Sequence, residues 1–301
     1  MRERAQIGLL PDGCRLHLHD GPIDLIVEAF GAVGQINAAY RAAAARFVMV
    51  LDELCGELQL LQQPARIGAP LAAGVIARRM VAAVSPYSGR YFITPMAAVA
   101  GAVAEEILGS MTSAATLSRA YVNNGGDIAL HFAPGEWLVV GMVERPDRSS
   151  LFGKVELHST QSVRGIATSG WRGRSFSLGI ADAVTVLADR AAMADAAATI
   201  IANAVDLPGH PGITRIPARD LAPDSDLGDR LVTQGVWQLS PGEIAAALDS
   251  GVVVADSLVS EGLIRSAALH LSGETRVVGV GAASGEFDAR SKNSSGSLIH
   301  A

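Results

Sequence analysis

Residues 119–130 read RAYVNNGGDIAL, and this stretch decides the fold class. Apolar and aromatic residues flank Asn124-Gly125, the chemistry of a tight turn that requires positive φ. The stretch therefore reads strand, turn, strand. Upstream, Cys-Arg-Leu-His-Leu-His at 14–19 alternates with the period of a strand, Asp20-Gly21-Pro22 is turn chemistry, and IDLIVEAF at 23–30 makes a second strand. Downstream, strands are expected at 137–144, 154–159, 183–188, 263–271 and 276–280, the last two joined by Ser272-Gly273-Glu274-Thr275. Residues 161–182 are polar and rich in Gly and Ser.

Helical periods lie between these strands. Over 35–63, Phe47, Val50, Leu51, Leu54, Leu58 and Leu61 form one apolar stripe, stopped by Pro64. Thr94-Pro95 starts another helix, with Thr as cap and Pro in the first turn; Met96, Val99, Ala100, Val103 and Ile107 supply its core face. A short helix follows at 111–120. Asp189 is placed to cap a helix over 190–205, and Ser240, Pro241 and Glu243 form a capping box for a helix ending at Gly251. Hairpins without strict βαβ alternation specify an α+β fold rather than a doubly wound parallel sheet.

The bulk numbers narrow the function. The chain has 301 residues, 49% of them hydrophobic and 18% charged, which supports a large core. A net charge of -6 argues against a nucleic-acid partner. No secretory leader and no run of about 18 apolar residues is evident, so a cytoplasmic protein without a membrane span is expected. Cys14 and Cys55 show no metal spacing and read as buried thiols. His17 and His19 share one strand face, a pair that can bind a transition metal or simply decorate the surface. The apolar helix at 35–63 suits an interface as well as a core, so a homo-oligomer stays open.

Three segments carry chemistry. They are Asn123-Asn124-Gly125-Gly126-Asp127-Ile128, Gly165-Ile166-Ala167-Thr168-Ser169-Gly170 and Ala194-Asp195-Ala196-Ala197-Ala198-Thr199. The glycine bend can expose backbone N–H groups to a phosphate, or be no more than a hairpin turn. Thr168, Ser169 and Gly170, followed by Arg172 and Arg174, form a polar loop with two cations able to grip phosphate. Asp195 and Thr199, four apart, lie on one helix face: an oxygen pair suited to Mg²⁺, or a solvated face.

The order and spacing of these segments resemble the NxGGDI, xxATSG and ADxxxT blocks of the ApbE-like superfamily, the FAD:protein FMN transferases. RLHLHDGPIDL at 15–25 and TPMAAVAGAVAEEI at 94–107 are similar to a shorter bacterial and archaeal branch of it. The resemblance covers most of residues 10–285. It implies two sheet-containing lobes with packed helices and a central cleft, in one domain over 1–283; the remainder, 284–301, is polar and rich in Ser, and reads from its composition as a flexible tail. It also implies a divalent metal, usually Mg, held by Asp195 and Thr199. A flavin nucleotide, FAD or FMN, would lie against Asn124, Gly125, Gly126, Asp127, Thr168, Ser169, Gly170 and Arg174. The activity implied is Mg-dependent transfer of FMN to an acceptor protein. In place of the superfamily's His-Ile-Ile-Asp-Pro block, this chain carries WRGRSFSLGIAD at 171–182, without the His. No catalytic residue is assigned, and two alternatives stand: a non-catalytic ligand-binding or accessory protein, and an enzyme on the same fold with a different small substrate.

Overall fold

The computed structural model describes residues 5–68, 72–145, 148–279, 287–288 and 298–300. The chain opens with β1 (Gln6–Leu9), β2 (Leu16–Asp20) and β3 (Ile23–Phe30). Asp20 pairs with Ile23, leaving a two-residue turn in which Gly21 has φ of 57°. The burial of β3 alternates along its whole length, as expected of a strand with one face in the core. Next come α1 (Val33–Gly56), the short α2 (Leu58–Leu61) and α3 (Val75–Val84). Short 3₁₀ turns occupy Ser85–Tyr87 and Pro95–Ala98, and the second runs into α4 (Val99–Ala114). Four strands follow, β4 (Arg119–Asn124), β5 (Asp127–Phe132), β6 (Trp137–Arg145) and β7 (Arg148–His158), then β8 (Gly165–Ser169) and β9 (Ala183–Ala188). The rest comprises α5 (Ala191–Ala204), β10 (Ile213–Pro217), α6 (Ala218–Leu221), β11 (Leu231–Val236), α7 (Pro241–Ser260), β12 (Ser266–Leu271) and β13 (Glu274–Gly279). Two short strands complete the sequence, β14 (Phe287–Asp288) and β15 (Leu298–His300).

The architecture is mixed α and β. Nine strands form one sheet in the order β1-β2-β3-β4-β5-β8-β9-β12-β13. Its neighbours pair antiparallel throughout. A second sheet has the order β14-β7-β6-β15, and β10 pairs with β11 alone. The main core joins side chains of the large sheet, such as Leu25, Val122 and Val186, to Phe47, Ile107 and Ile201 from the helices. A separate core of Tyr121, Ile128, Leu130, Leu138, Val155 and Ile166 lies between the large sheet and β6–β7. Strand β4 thus feeds two cores, Val122 into one and Tyr121 into the other, and this is why its pattern is not the simple alternation of an exposed sheet.

Several expectations need adjustment. The 35–63 helix divides at Glu57, whose carboxylate accepts from the backbone N–H groups of Ala73 and Gly74 (2.7 Å each). Of its stripe, Phe47, Val50, Leu54 and Leu61 are buried, while Leu58 is exposed. Thr94 does not cap through its side chain; its hydroxyl bonds the Asp226 carboxylate. No separate helix covers 111–120: α4 ends at Ala114 and β4 begins at Arg119. Asp189 pairs with Arg265 instead of capping α5. The Ser240–Glu243 capping box forms, but α7 continues past Gly251 to Ser260. Gly251 is a contact point within the helix, since a Cβ there would meet Val205 Cγ2 at 2.4 Å and Leu269 Cδ2 at 2.7 Å. Both cysteines are exposed rather than buried. The expected flexible tail at 284–301 lies outside the described residues except for β14 and β15, which pair with β7 and β6.

The packing that positions the site is the crossing of α4 on α5. A Cβ on Gly101 would sit 2.4 Å from the Ala191 carbonyl oxygen, so the two backbones nearly touch. Alanine normally stabilises a helix relative to glycine by about 1 kcal/mol. Here Gly101→Ala is expected to destabilise the protein by about 1–3 kcal/mol, because backbone cannot move aside as a side chain can. Urea unfolding checks this; a stability equal to or above wild type would show that the helices are not in contact at this point.

Candidate functional site

The β4–β5 hairpin turns through two glycines. Asn124 and Asp127 are register partners, and Gly125 and Gly126 have φ of 68° and 112°, which only glycine adopts readily. Asn123 Oδ1 accepts from the Gly126 N–H (2.8 Å) and so stabilises the bend from within. Asn124, buried, donates through Nδ2 to the Ala100 carbonyl (3.2 Å) and ties the bend to the first turn of α4.

Asp127 begins β5 and Asp195 lies one turn into α5. The fold brings the two carboxylates together. Asp195 Oδ2 accepts from the Gly101 N–H (3.0 Å), and the Ala100 N–H also reaches this carboxylate, so Asp195 caps α4 from a neighbouring helix. Burial pushes the Asp195 carboxyl up to about 7 against the opposing pull of those two N–H groups. Asp127 is pushed well above the ordinary carboxylate range by burial and by the charge of Asp195, with the Thr168 N–H working the other way. Among the described residues neither carboxylate has a cationic partner.

The other expected site residues fall as follows. Arg174 reaches the bend: a Cβ on Gly125 would come within 3.0 Å of its Nη1. Thr168 contributes its backbone N–H to Asp127, while its hydroxyl is bonded to the Thr185 hydroxyl (2.9 Å). Ser169 ends β8 opposite Val184. Gly170 permits a close pass, since a Cβ there would lie 2.3 Å from the Asp182 carbonyl oxygen. Thr199 is half-buried on α5, one turn beyond Asp195, with no hydrogen bond among the described residues. Asn203 continues that row but serves the loop, accepting from the Leu178 N–H (2.9 Å) and the Ser177 hydroxyl (3.3 Å). His17 is bonded to Asp24 (2.6 Å) on the neighbouring β2–β3 hairpin, whose Leu25 is the register partner of Asn124.

Sequence reasoning missed Ala100, Gly101 and Asp182. The first two act through backbone N–H groups, which no side-chain pattern reveals. Asp182, nearly buried, accepts from Trp171 Nε1 (3.2 Å), Arg172 Nε (2.6 Å) and the Ser272 N–H (2.7 Å). It thereby fixes both ends of the 171–182 segment.

The donor set suits a hard divalent cation. Mg²⁺ uses one or two carboxylates and completes its octahedron with water and phosphate oxygen. Two neighbouring, half-buried carboxylates without an ion-pair partner among the described residues fit that pattern. Among the described residues no group of three or more His, Cys, Asp or Glu is placed to hold a metal, so a carboxylate- or imidazole-rich cage is not formed.

Comparison with known proteins comes to the same region of sequence space. Residues 7–277 match the family described as AbpE bacteria. A UPF0280 protein of Methanococcoides burtonii is 39% identical over 139 residues, covering 46% of this chain and 55% of that one. Another, from Methanosphaerula palustris, is 33% identical over 197 residues, covering 61% and 74%. The chain spans about half the length of the first curated relatives it matches. Among solved structures, the ApbE protein of Thermotoga maritima gives a TM-score of 0.45 at 13% identity, covering 90% of this chain and 96% of that one. The apo flavinyl transferase ApbE of Pseudomonas stutzeri gives 0.39 at 10% identity, covering 92% and 95%.

The carboxylate pair makes stability depend on pH. A carboxyl whose folded value is raised keeps its proton while the unfolded chain has already lost it. Stability therefore falls as pH rises from about 4 through about 7. Asp127→Asn removes one charge and keeps an acceptor for the Thr168 N–H. Without divalent metal at pH 8 it is expected to raise the melting temperature by roughly 2–4 °C, about 1 kcal/mol. At pH 4 the two proteins should melt together. A destabilised variant at pH 8 would show that the two carboxylates do not repel.

Proposed function

The chain belongs to the AbpE bacteria family, and from that premise we propose that it binds a flavin nucleotide through a divalent cation at Asp127 and Asp195. The observation that carries this reading is the pair of neighbouring, half-buried carboxylates beside a glycine bend, with no ion pair to either among the described residues. A bound Mg²⁺ would neutralise the pair and polarise a phosphate oxygen. Thr199 offers a further oxygen one helical turn from Asp195. Arg174, over Gly125, is a cation for the phosphates, and the absence of a side chain at Gly125 and Gly126 lets a ligand approach the backbone. Thr168 and Ser169 border the same strand end and would orient the ligand, the Thr168 N–H holding Asp127.

The likeness to ApbE flavin transferases supports a chemical step beyond binding. An acceptor-protein hydroxyl would form a bond to the FMN phosphorus of FAD, the bond between the two phosphates would break, and AMP would leave with the hydroxyl proton released to solvent. The second reading, binding without transfer, is favoured by one feature. The 171–182 segment contains no His and is pinned by Asp182 to Trp171, Arg172 and Ser272.

Thermal shift with FAD, with and without Mg²⁺, tests the binding. Wild type should be stabilised by FAD only when Mg²⁺ is present. Asp195→Asn should lose that response, and Arg174→Gln should weaken FAD roughly tenfold. An unchanged Mg²⁺ response in Asp195→Asn would sink the proposal. Mass spectrometry after incubation with FAD, Mg²⁺ and an acceptor protein separates the two readings: an FMN adduct with AMP release means transferase, and neither means binder.

A further inference from the structure

The loop from Gly170 to Asp182 links β8 to β9 and is closed at its base by backbone alone. A Cβ on Gly170 would meet the Asp182 carbonyl oxygen at 2.3 Å, and the Trp171 N–H donates to the Ala181 carbonyl (3.0 Å). The Gly173 N–H donates back to the Gly170 carbonyl (3.1 Å), so the chain turns at once. Residues 172–176 are then exposed, with no core to hold them. Two side chains hold the loop instead. At its far end Asn203, about two turns beyond Asp195 on α5, accepts from the Leu178 N–H (2.9 Å) and the Ser177 hydroxyl (3.3 Å). At its near end stands Asp182.

Both oxygens of Asp182 are used as acceptors. Oδ1 takes Trp171 Nε1 (3.2 Å) and Arg172 Nε (2.6 Å), and Oδ2 takes the Ser272 N–H (2.7 Å). The Arg172 guanidinium also lies 4.2 Å from the centre of the Trp171 ring, so carboxylate, guanidinium and indole form one unit. An amide at 182 would fail here: its NH₂ would face either Arg172 and Trp171 or the Ser272 N–H, donor against donor. Closing the base of the loop needs no such carboxylate. What Asp182 adds is a fixed direction for Trp171 and Arg172, and hence for the chain that leads to Arg174. That side chain lies along the bend, its Nη1 3.0 Å from where a Gly125 Cβ would be, and it has no ion pair among the described residues.

We propose that Asp182 is a positioning residue for the ligand's phosphates: it holds Trp171 and Arg172 so that Arg174, two residues on, stands over Gly125 with its guanidinium open to an anion. The inference rests on the reading of the bend as a nucleotide site. Asp182 touches no ligand itself and acts through Arg174.

Asp182→Asn and Arg172→Gln break the same contact from its buried and its exposed side, and the second removes no core atom. Backbone ¹⁵N relaxation of the ligand-free protein reads the loop. Order parameters over 172–176 should fall below about 0.6 in both variants from a rigid value in wild type. Titration with FAD in the presence of Mg²⁺ reads the consequence. Each variant should bind roughly fivefold more weakly. In the Arg174→Gln background, Asp182→Asn should cost less than about twofold, because nothing is left to position; a merely structural loss would add in full. Where wild type ignores the flavin, inorganic pyrophosphate takes its place as the probe, so failure of the flavin reading is seen separately. Unchanged order over 172–176, additive losses with Arg174→Gln, or a wild type that binds neither probe would each overturn the inference.

Discussion

Two half-buried carboxylates that repel one another are held together in this protein. Asp127 enters from the end of a hairpin, and Asp195 enters from a helix that is apolar on nearly every side. A chain would separate such a pair unless other forces held both. Here they do: Asp195 caps α4 through the Gly101 and Ala100 N–H groups, and Asp127 takes the Thr168 N–H. Four elements, α4, β5, β8 and α5, thus converge on these two side chains. The arrangement retains a proton or a cation, since either removes the repulsion.

The convergence depends on small residues. Gly101 lets α4 lie against the Ala191 backbone, and Gly165 does the same for β8 against Arg190 and Ala191, where a Cβ would sit 2.1 Å from the Arg190 carbonyl carbon. Gly179 passes the Ala202 carbonyl at a comparable distance. Along α5, Ala192, Ala194, Ala196, Ala197 and Ala198 are buried, so sheet and helices close around it without bulky side chains. The abundance of Ala and Gly therefore has a local structural use, whatever its origin in composition. The close approach of α4 brings the Gly101 N–H onto Asp195, while partial removal of that carboxyl from water raises its affinity for a proton.

The hairpins and helices were legible because their signals are local. Asn124-Gly125 fixed the β4–β5 turn, and the Ser240–Glu243 box fixed the start of α7. Helix ends were less so. Gly251 reads as a stop, yet its role is to admit Val205 and Leu269 at a packing contact, a fact about tertiary neighbours. Asp189 reads as a cap, but Arg265, 76 residues away, takes it. The site was legible in part. Spacing placed Asp195 and Thr199 on one face and could not tell that face from a solvated one. Only the fold shows that Asp195 meets Asp127, because their proximity is created by strand order and helix crossing. Backbone donors such as Gly101 leave no trace in side-chain patterns.

The account rests on one shared charge. Carboxyl ¹³C NMR of the protein labelled at Asp, with Asp127 and Asp195 assigned through their Asn variants, measures it directly. The account predicts that in metal-free protein at least one of the two carbons titrates near neutral pH, and that Mg²⁺ shifts both resonances and abolishes that step. Two ordinary titrations near pH 4, indifferent to Mg²⁺, would contradict it.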